Sequence, residues 1–486
     1  MTPSDAGAVP RSTGNRPLPL ADLADLVGVP VTGPAPDTTI RGVTLASAEV
    51  APGDLYAALP GSRTHGVQYV GDAAARGAVA VLTDPTGRGA AAHSGLPVCV
   101  VDDPRAVLGA VADRVYGGPS GRLTVLGITG TNGKTTTAYL VEAGLAAAGL
   151  GTGLIGTVQT RTRGRDDEGR PTVTEIPSVR TTPEAPALHA LLASMVEAGV
   201  SAVVMEVSSH ALVMGRVGGV RFAAAGFTNL GRDHLDFHAD LEDYFQAKAR
   251  PEASTVSITG PADWTATGIA PAPGGGSTFT LTGPDGGTWP ARVRLPGRFN
   301  VANAVLAVAL LDAVDVPVGS ALAGIAETVV PGRMEPVEAG QPFVAVVDYA
   351  HTPDAVATAL SALRESTSGR LITVLGCGGD RDPGKRAAMG SSAALLSDVL
   401  VVTDDNPRSE DPAAIRAAML AGVQAVPEAD RAQVHEIGDR RAAIATAVAL
   451  AGPGDTLLVA GKGHETGQEI AGTVHPFDDR TVPAIS

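Results

Sequence analysis

Hydrophobic residues along this chain fall into short continuous runs separated by Gly-, Pro- and Asp-rich breaks. Runs at 79–82, 98–101, 122–128, 202–206 and 226–230 read as buried strands, with shorter strands at 42–45 and 54–59. Between them lie stretches of helical character at 21–27, 135–148, 187–198 and 300–314. A strand buried on both faces shows a near-continuous apolar run, and strands alternating with helices build parallel sheets with crossover helices. Residues 251–290 depart from this pattern: Thr, Gly and Pro dominate, which predicts short antiparallel strands and loops. Four further buried strands follow at 343–347, 371–375, 399–403 and 456–460, with helices between, as in an open α/β domain whose ligand loops lie at the strand C-termini.

Turn-rich sequence at Tyr116-Gly-Gly-Pro-Ser-Gly121 and at Pro331-Gly-Arg333 marks two boundaries. The expected organisation is a disordered tail at 1–20, a small α/β domain at 21–120, a central parallel-sheet domain at 121–331 and a Rossmann-like α/β domain at 332–486.

Composition narrows the function classes. With 44% hydrophobic residues, the 486-residue chain has enough apolar material for a large core, which excludes global disorder. A net charge of −15 argues against duplex nucleic acid as the main partner but leaves open a local pocket for a small anion. Two cysteines, Cys99 and Cys377, cannot make a disulfide framework, which fits a reducing compartment. Residues 1–20 lack the apolar core of a signal peptide, and no uninterrupted apolar run reaches the ~18 residues of a membrane span. Only four of the 36 basic residues are lysine: Lys134, Lys248, Lys385 and Lys462. Arginine can replace lysine in most surface roles but not in some chemical ones, so these addresses matter.

The strongest local signal is Gly127-Ile-Thr-Gly-Thr-Asn-Gly-Lys-Thr-Thr136, a strand feeding a Gly-rich loop that opens a helix. Backbone N–H groups there can cradle phosphates, Lys134 would reach the β- and γ-phosphates, and the Thr135 hydroxyl would hold Mg²⁺. The spacing departs from the usual G-x4-G-K-[ST], because Ile128 stands where the first glycine is expected. The bland alternative is a plain strand-to-helix turn. Glu206, at the end of an apolar strand in Met205-Glu-Val-Ser-Ser-His210, is placed to bind a metal, although the same run would also serve as a helix N-cap. In Asn229-Leu-Gly-Arg-Asp-His-Leu-Asp236, His234 is either a second ligand or an ordinary loop histidine. Lys248, near a helix C-terminus, would by itself be read as solvated or as a partner of the helix dipole.

In the last third, polar clusters follow each apolar strand: Asp348-Tyr-Ala-His-Thr-Pro-Asp354, Gly376-Cys-Gly-Gly-Asp-Arg-Asp-Pro-Gly-Lys-Arg386, Asp404-Asp-Asn-Pro-Arg408 and Gly461-Lys-Gly-His-Glu465. All four therefore gather on one sheet edge. Arg381 and Arg408 suit bidentate capture of a carboxylate. Lys385 and Lys462 lie in two of these loops, with a surface ion pair as their default reading.

Together these motifs resemble the Mur ligase family, the ATP-dependent amino-acid ligases of peptidoglycan synthesis. The resemblance runs from about residue 40 to 480. It rests on Gly130–Thr136, Thr181-Thr-Pro183, Met205–Ala211, Phe227–Leu230, Arg232–Asp236, Leu295-Pro-Gly-Arg-Phe-Asn-Val301, Pro331–Glu335, Asp348–Asp354 and Asp405–Arg408. It implies a three-domain ligase in which ATP phosphorylates a substrate carboxylate and an amine then attacks the acyl phosphate. It assigns ATP to Gly130, Thr131, Asn132, Gly133, Lys134, Thr135 and Thr136, with Asn300, Arg333 and Asp348. It assigns Mg²⁺ to Thr135, Glu206, His234 and Lys248, the last carbamylated by CO₂ so that a cation becomes an anionic oxygen ligand. Ser47 falls at the uridine position, and Thr181, Thr182, Ser208 and Arg216 at positions holding a UDP-MurNAc-dipeptide. Arg381, Asp405, Asn406, Pro407, Arg408, Gly461 and Glu465 match the amino-acid pocket, in the form associated with diaminopimelate.

The expectation is thus a monomeric cytoplasmic enzyme acting on small molecules and adding diaminopimelate to UDP-MurNAc-L-Ala-D-Glu. Two departures from the family pattern stand out. Leu45-Ala-Ser-Ala48 replaces Leu-Asp-Ser-Arg, and residues 250–261 run directly to Asp263-Trp264, so that a central strand and loop are expected to be missing. The same ligase using L-lysine, and a non-catalytic nucleotide- and UDP-sugar-binding relative, stay open as alternatives.

Overall fold

The computed structural model describes residues 16–34, 37–61, 63–166, 168–230, 254–272 and 275–482. These pack as two compact units. One is the chain up to residue 230 with Leu306–Gly324, and the other is Ser254–Val305 with the chain from Ile325 onward. Residues 254–305, expected in the central domain, therefore group with the C-terminal part.

The first unit holds two sheets. The smaller runs Val31–Thr32, Val98–Val100, Ala80–Thr83, Asp54–Ala58 and Gly42–Thr44, parallel except for its first strand. Asp54–Ala58 and Ala80–Thr83 are buried at every position, in keeping with their largely apolar sequence, and Asp54 and Thr83 are buried with them. Leu18 and Pro19 pair with Ile40 and Thr39, and Leu18 is buried. The ordered fold thus begins inside the segment expected as a tail, of which residues 1–15 lie outside the described residues.

The larger sheet runs Pro171–Pro177, Gln159–Arg165, Thr152–Ile155, Ala202–Glu206, Thr124–Thr129 and Ala224–Phe227. Its last four strands are parallel, and the first two form an antiparallel hairpin added at the edge. Thr124–Thr129 and Ala202–Glu206 are neighbours, so the loops leaving their C-terminal ends emerge side by side. The helix Lys134–Ala147 starts directly after the first of these loops.

The second unit begins with a four-stranded sheet: Val256–Ser257, Trp264–Pro271, Ser277–Thr282 and Thr288–Val293. The Thr-rich sequence here does form short strands, but the first pair is parallel where antiparallel pairing was expected. The main sheet runs Glu335–Pro336, Val344–Asp348, Thr456–Ala460, Leu371–Leu375, Val399–Val402 and Gln433–Glu436, parallel except at its first strand. Helices cover both faces, entered through side-chain caps at Thr352, Asp411 and Asp439. The strand of this sheet that comes last in the chain, Thr456–Ala460, lies between the first two parallel strands. Ala460 thereby comes opposite both Asp348 and Leu375. This is the strand-order reversal where open α/β sheets bind ligands.

Candidate active site

The loop after Thr124–Thr129 is shaped by two glycines in left-handed backbone, Gly130 at φ 134° and Gly133 at φ 86°. A side chain at Gly130 would also collide with the Thr228 hydroxyl. The adjacent strand end clamps the loop. Thr131 N donates to Asn229 O at 2.9 Å, Asn132 N to Asn229 Oδ1 at 3.0 Å, and Asn229 Nδ2 back to Asn132 O at 3.0 Å. The Lys134 ammonium lies over the same loop, donating to the carbonyls of Gly130 at 2.9 Å and Thr131 at 2.8 Å. Thr135 and Thr136, in the first helical turn, are buried.

Glu206 is 1% exposed at the end of its strand and organises the neighbouring loops. It accepts from Thr135 Oγ1 at 3.0 Å, from Thr157 N at 2.8 Å and from Thr157 Oγ1 at 3.0 Å. Thr157 continues to Thr181, their hydroxyls 3.0 Å apart. Thr182 Oγ1 donates to Glu206 O at 2.9 Å and accepts from Ser208 N at 3.1 Å. Ser208 caps the short helix Ser209–Val213, so the N-cap reading of that run holds alongside the site reading. Arg216 reaches Thr182 O at 3.3 Å and pairs with Glu184 at 3.0 Å. Five sequence-selected residues (Thr135, Glu206, Thr181, Thr182 and Ser208) are thus joined in one polar network, with Arg216 at its margin. Thr157 was missed. Its signal is the Gly156-Thr157 pair directly after the strand Thr152–Ile155, the same placement that singled out Glu206.

Among the described residues no three or more His, Cys, Asp or Glu side chains gather in metal-binding fashion. His234 and Lys248 lie outside the described residues. Ser47 begins a 3-10 turn at a half-buried position.

In the second unit, Asn300 is buried in the first turn of Arg298–Asp312 and donates to Pro296 O at 2.8 Å. Asp348 accepts from Met334 N at 2.7 Å and Ala350 N at 2.8 Å, which ties the Pro331–Glu335 loop to its strand end. Burial pushes the Asp348 carboxyl above the usual carboxylate range, against the opposing pull of Arg333 and these two N–H donors. The Arg333 guanidinium lies 4.4 Å from the centre of the Tyr349 ring, and the His464 ring lies 5.1 Å from the same ring. Burial, with Arg333 and Arg480 nearby, lowers the His464 pKa to about 4.

The four polar strand ends do converge. Gly461 N donates to Asp348 O at 3.1 Å, and a Cβ at Gly461 would stand 2.7 Å from Asp405 Oδ2. Asn406 Nδ2 donates to Glu465 Oε2 at 2.8 Å. Arg408, in left-handed backbone at φ 54°, donates to Gly379 O at 2.6 Å and pairs with Glu469 at 3.3 Å. Arg381 is exposed on the loop after Leu371–Leu375. Lys385 donates to His351 O at 2.9 Å. Lys462 is fully buried, so its default reading as a surface ion pair is corrected.

A hairpin not expected from the sequence, Gly467–Ile470 with Thr473–Pro476, underlies the Asp405–Arg408 turn. Arg408 N donates to Glu469 O at 3.0 Å, Glu469 N to Asn406 Oδ1 at 3.0 Å, and Gln468 Nε2 to Asp405 O at 2.7 Å. Its signal was the Ala471-Gly472 turn between two short polar-apolar runs. Behind this edge Arg440 and Asp479, neither exposed at all, pair at 2.7 and 2.8 Å, and Arg440 Nη2 donates to Ala460 O at 3.0 Å.

Comparison with known proteins settles the family. Residues 39–116 match the catalytic domain of the Mur ligase family, 128–250 the Mur ligase middle domain and 332–463 the Mur ligase glutamate ligase domain. The chain belongs to the Mur ligase family. This Mur ligase is 51% identical, over 97% of each chain, to the UDP-N-acetylmuramoyl-L-alanyl-D-glutamate–2,6-diaminopimelate ligase of Streptomyces avermitilis. It is 47% identical, over 91% of each, to the ligase of the same name from Corynebacterium glutamicum. A solved structure of a protein with that name superposes with a TM-score of 0.66 at 29% identity, covering 95% of this chain and 98% of the other. MurF from Acinetobacter baumannii, 18% identical over 92% of this chain and 96% of its own, shares the fold with a TM-score of 0.63. The three-domain α/β fold expected from the sequence is that of these relatives. Among the described residues no helix is long and apolar enough to cross a membrane.

Proposed function

We propose that this Mur ligase joins diaminopimelate to the D-glutamyl carboxylate of UDP-MurNAc-L-Ala-D-Glu, driven by ATP. The observation that carries this reading is the edge on which Asn406 meets Glu465 at 2.8 Å beside Arg408. The identity to ligases of that name over nearly the whole chain supports it. The distal end of diaminopimelate bears a carboxylate and an ammonium group, which call for an arginine and a carboxylate in one pocket. L-lysine lacks the distal carboxylate, so Arg408 would gain nothing from it.

The substrate carboxylate attacks the γ-phosphoryl group of ATP, ADP departs and an acyl phosphate forms. The amine then attacks the acyl carbon, phosphate leaves with the electron pair, the amine proton passes to solvent and an amide remains. Such transfers need positioning and charge neutralisation above all. In the first unit the loop Gly130–Thr136 cradles the phosphates and Lys134 supplies a cation. Thr182, Ser208 and Arg216 form the contact surface for the UDP-MurNAc-dipeptide with Thr181, and Ser47 serves the uridine end.

Thr135 and Glu206 offer the hard oxygen donors that Mg²⁺ prefers, and Glu206 is buried with three neutral donors, so its charge favours a cation within reach. His234 and Lys248, as a carbamate, are proposed to complete this set. Bound there, Mg²⁺ would neutralise charge on the phosphoryl oxygens. In the second unit Arg381, Asp405–Arg408, Gly461 and Glu465 form the amino-acid pocket. The proposed division of labour is 21–120 for UDP, 121–331 for ATP and 332–486 for the amino acid, in a cytoplasmic enzyme.

The test is phosphate release from ATP in the presence of UDP-MurNAc-Ala-Glu. Release should require diaminopimelate. Lysine-dependent turnover would overturn the substrate assignment, and tight nucleotide binding without turnover would favour a non-catalytic protein.

A further inference from the structure

Lys462 combines three properties that a structural lysine rarely shows together. It is fully buried, it is one of only four lysines in the chain, and each of its polar contacts is a residue of the proposed amino-acid pocket. Its Nζ donates to Glu465 Oε2 at 3.0 Å and to Asn406 Oδ1 at 3.0 Å, and lies 3.7 Å from Asp405 Oδ1. Burying an ammonium is costly unless it is paired and hydrogen-bonded, and these three oxygens meet that demand.

The contacts also fix what the pocket shows a ligand. An amide side chain can turn either end outward. Here Asn406 Oδ1 accepts from both Lys462 Nζ and Glu469 N, so Nδ2 is the end that faces Glu465 Oε2. Glu465 Oε2 is then occupied by two donors, Lys462 and Asn406. Glu465 Oε1 is the oxygen directed to other use. In formal charge, one buried cation stands between two carboxylates, Asp405 and Glu465, which leaves one negative charge for an incoming ammonium group. The Arg408–Glu469 pair at 3.3 Å is already balanced.

We propose that Lys462 is a positioning and specificity residue of the amino-acid pocket. It aims Glu465 Oε1 at the distal ammonium of the incoming amino acid and holds the Asn406 amide in one orientation. The inference rests on the ligase reading above. Arginine would not substitute, because its planar fork cannot converge on three oxygens around one nitrogen as an ammonium does.

The experiment is steady-state phosphate release by the full-length enzyme, with KM measured separately for ATP, UDP-MurNAc-Ala-Glu and diaminopimelate. Lys462→Met should raise KM for diaminopimelate at least tenfold, leave the other two KM values within about twofold, and change kcat much less. A merely structural lysine would lower the active fraction and hence kcat, with all three KM values unchanged, and that result overturns the proposal. Lys462→Arg should recover little of the loss.

Glu465→Gln should raise the same KM, and the double variant should be no worse than the poorer single one, because both act through one contact. Additive effects would overturn the proposal. Should Lys462→Met fail to fold, the double variant, which removes both charges, is compared with Glu465→Gln alone: equal KM values support the proposal and a further rise refutes it. If the wild type turns over with L-lysine in place of diaminopimelate, the substrate reading falls, while the same KM comparison made on lysine still decides the role of Lys462. No turnover with either amino acid overturns both.

Discussion

Thr135 and Glu206, 71 residues apart in the chain, are joined by a 3.0 Å hydrogen bond from Oγ1 to Oε2. One belongs to the first turn of the helix after the Gly130–Gly133 loop and the other to the end of the neighbouring strand. Glu206→Gln keeps the shape but presents an NH₂ group to donors that need an acceptor. Turnover should fall by at least about 100-fold, of the order seen when a group stabilising transition-state charge is removed. The Mg²⁺ concentration for half-maximal phosphate release should rise about 10- to 100-fold, as for lost metal contacts. Unchanged Mg²⁺ dependence would exclude Glu206 as a ligand.

Gly130→Ala places a Cβ against the Thr228 hydroxyl in backbone at φ 134°. The substitution should cost more than about 1 kcal/mol and raise KM for ATP at least tenfold, with the KM for diaminopimelate little altered. Gly149, at φ 81° with no atom near its Cβ position, serves as the control for backbone strain alone. Gly149→Ala should show loss of stability without the change in KM.

Asp479→Asn breaks a fully buried pair and leaves Arg440 without its counter-charge. Unfolding in urea should show a loss of about 3–5 kcal/mol, whereas replacing both partners by apolar residues of similar volume should cost much less. Equal losses in the single and double variants would mean that the pair matters for shape rather than charge.

Acid should weaken the second unit through His464. Its pKa is lowered to about 4 from 6.5, so between those values the unfolded chain takes up a proton that the folded protein refuses. The stabilising effect is complete above pH 6.5 and is lost as the pH falls towards 4, by at most about 3 kcal/mol. His351, held low chiefly by burial, acts in the same direction. Urea titrations at pH 7, 6 and 5 should give falling midpoints, with a shallower fall in His464→Asn. An equal slope in that variant would rule out His464 as the source.

Much of this arrangement could be read from the sequence because central parallel strands announce themselves. Ala202–Glu206 and Leu371–Leu375 are apolar runs buried at nearly every position, and the polar residues that follow such runs must lie at the sheet edge. What escaped was structure whose logic is cross-strand. The hairpin Gln159–Arg165 with Pro171–Pro177 alternates Arg, Thr and Glu, and is stabilised by Arg161 and Arg163 on the buried Glu142, a carboxylate on the helix Lys134–Ala147. Nothing local in either segment specifies that pairing. The burial of Lys462 was invisible for the same reason, since its partners Asn406 and Glu465 come together only when Thr456–Ala460 inserts among earlier strands.

If the Gly130–Thr136 loop holds ATP as proposed, the clamp of Asn229 on Asn132 has a consequence for how the nucleotide arrives. A Gly-rich loop in a free chain samples many conformations, and ordering it on binding would subtract from affinity. Here the Asn229 side-chain carbonyl and amide set the loop's curvature, together with the 2.6 Å bond from the Thr228 hydroxyl to Asn132 O. The conformational entropy is therefore lost when the protein folds, not when ATP docks. Association should be limited by the encounter itself, and selectivity among nucleotides should depend on phosphate number and bound cation rather than on loop rearrangement.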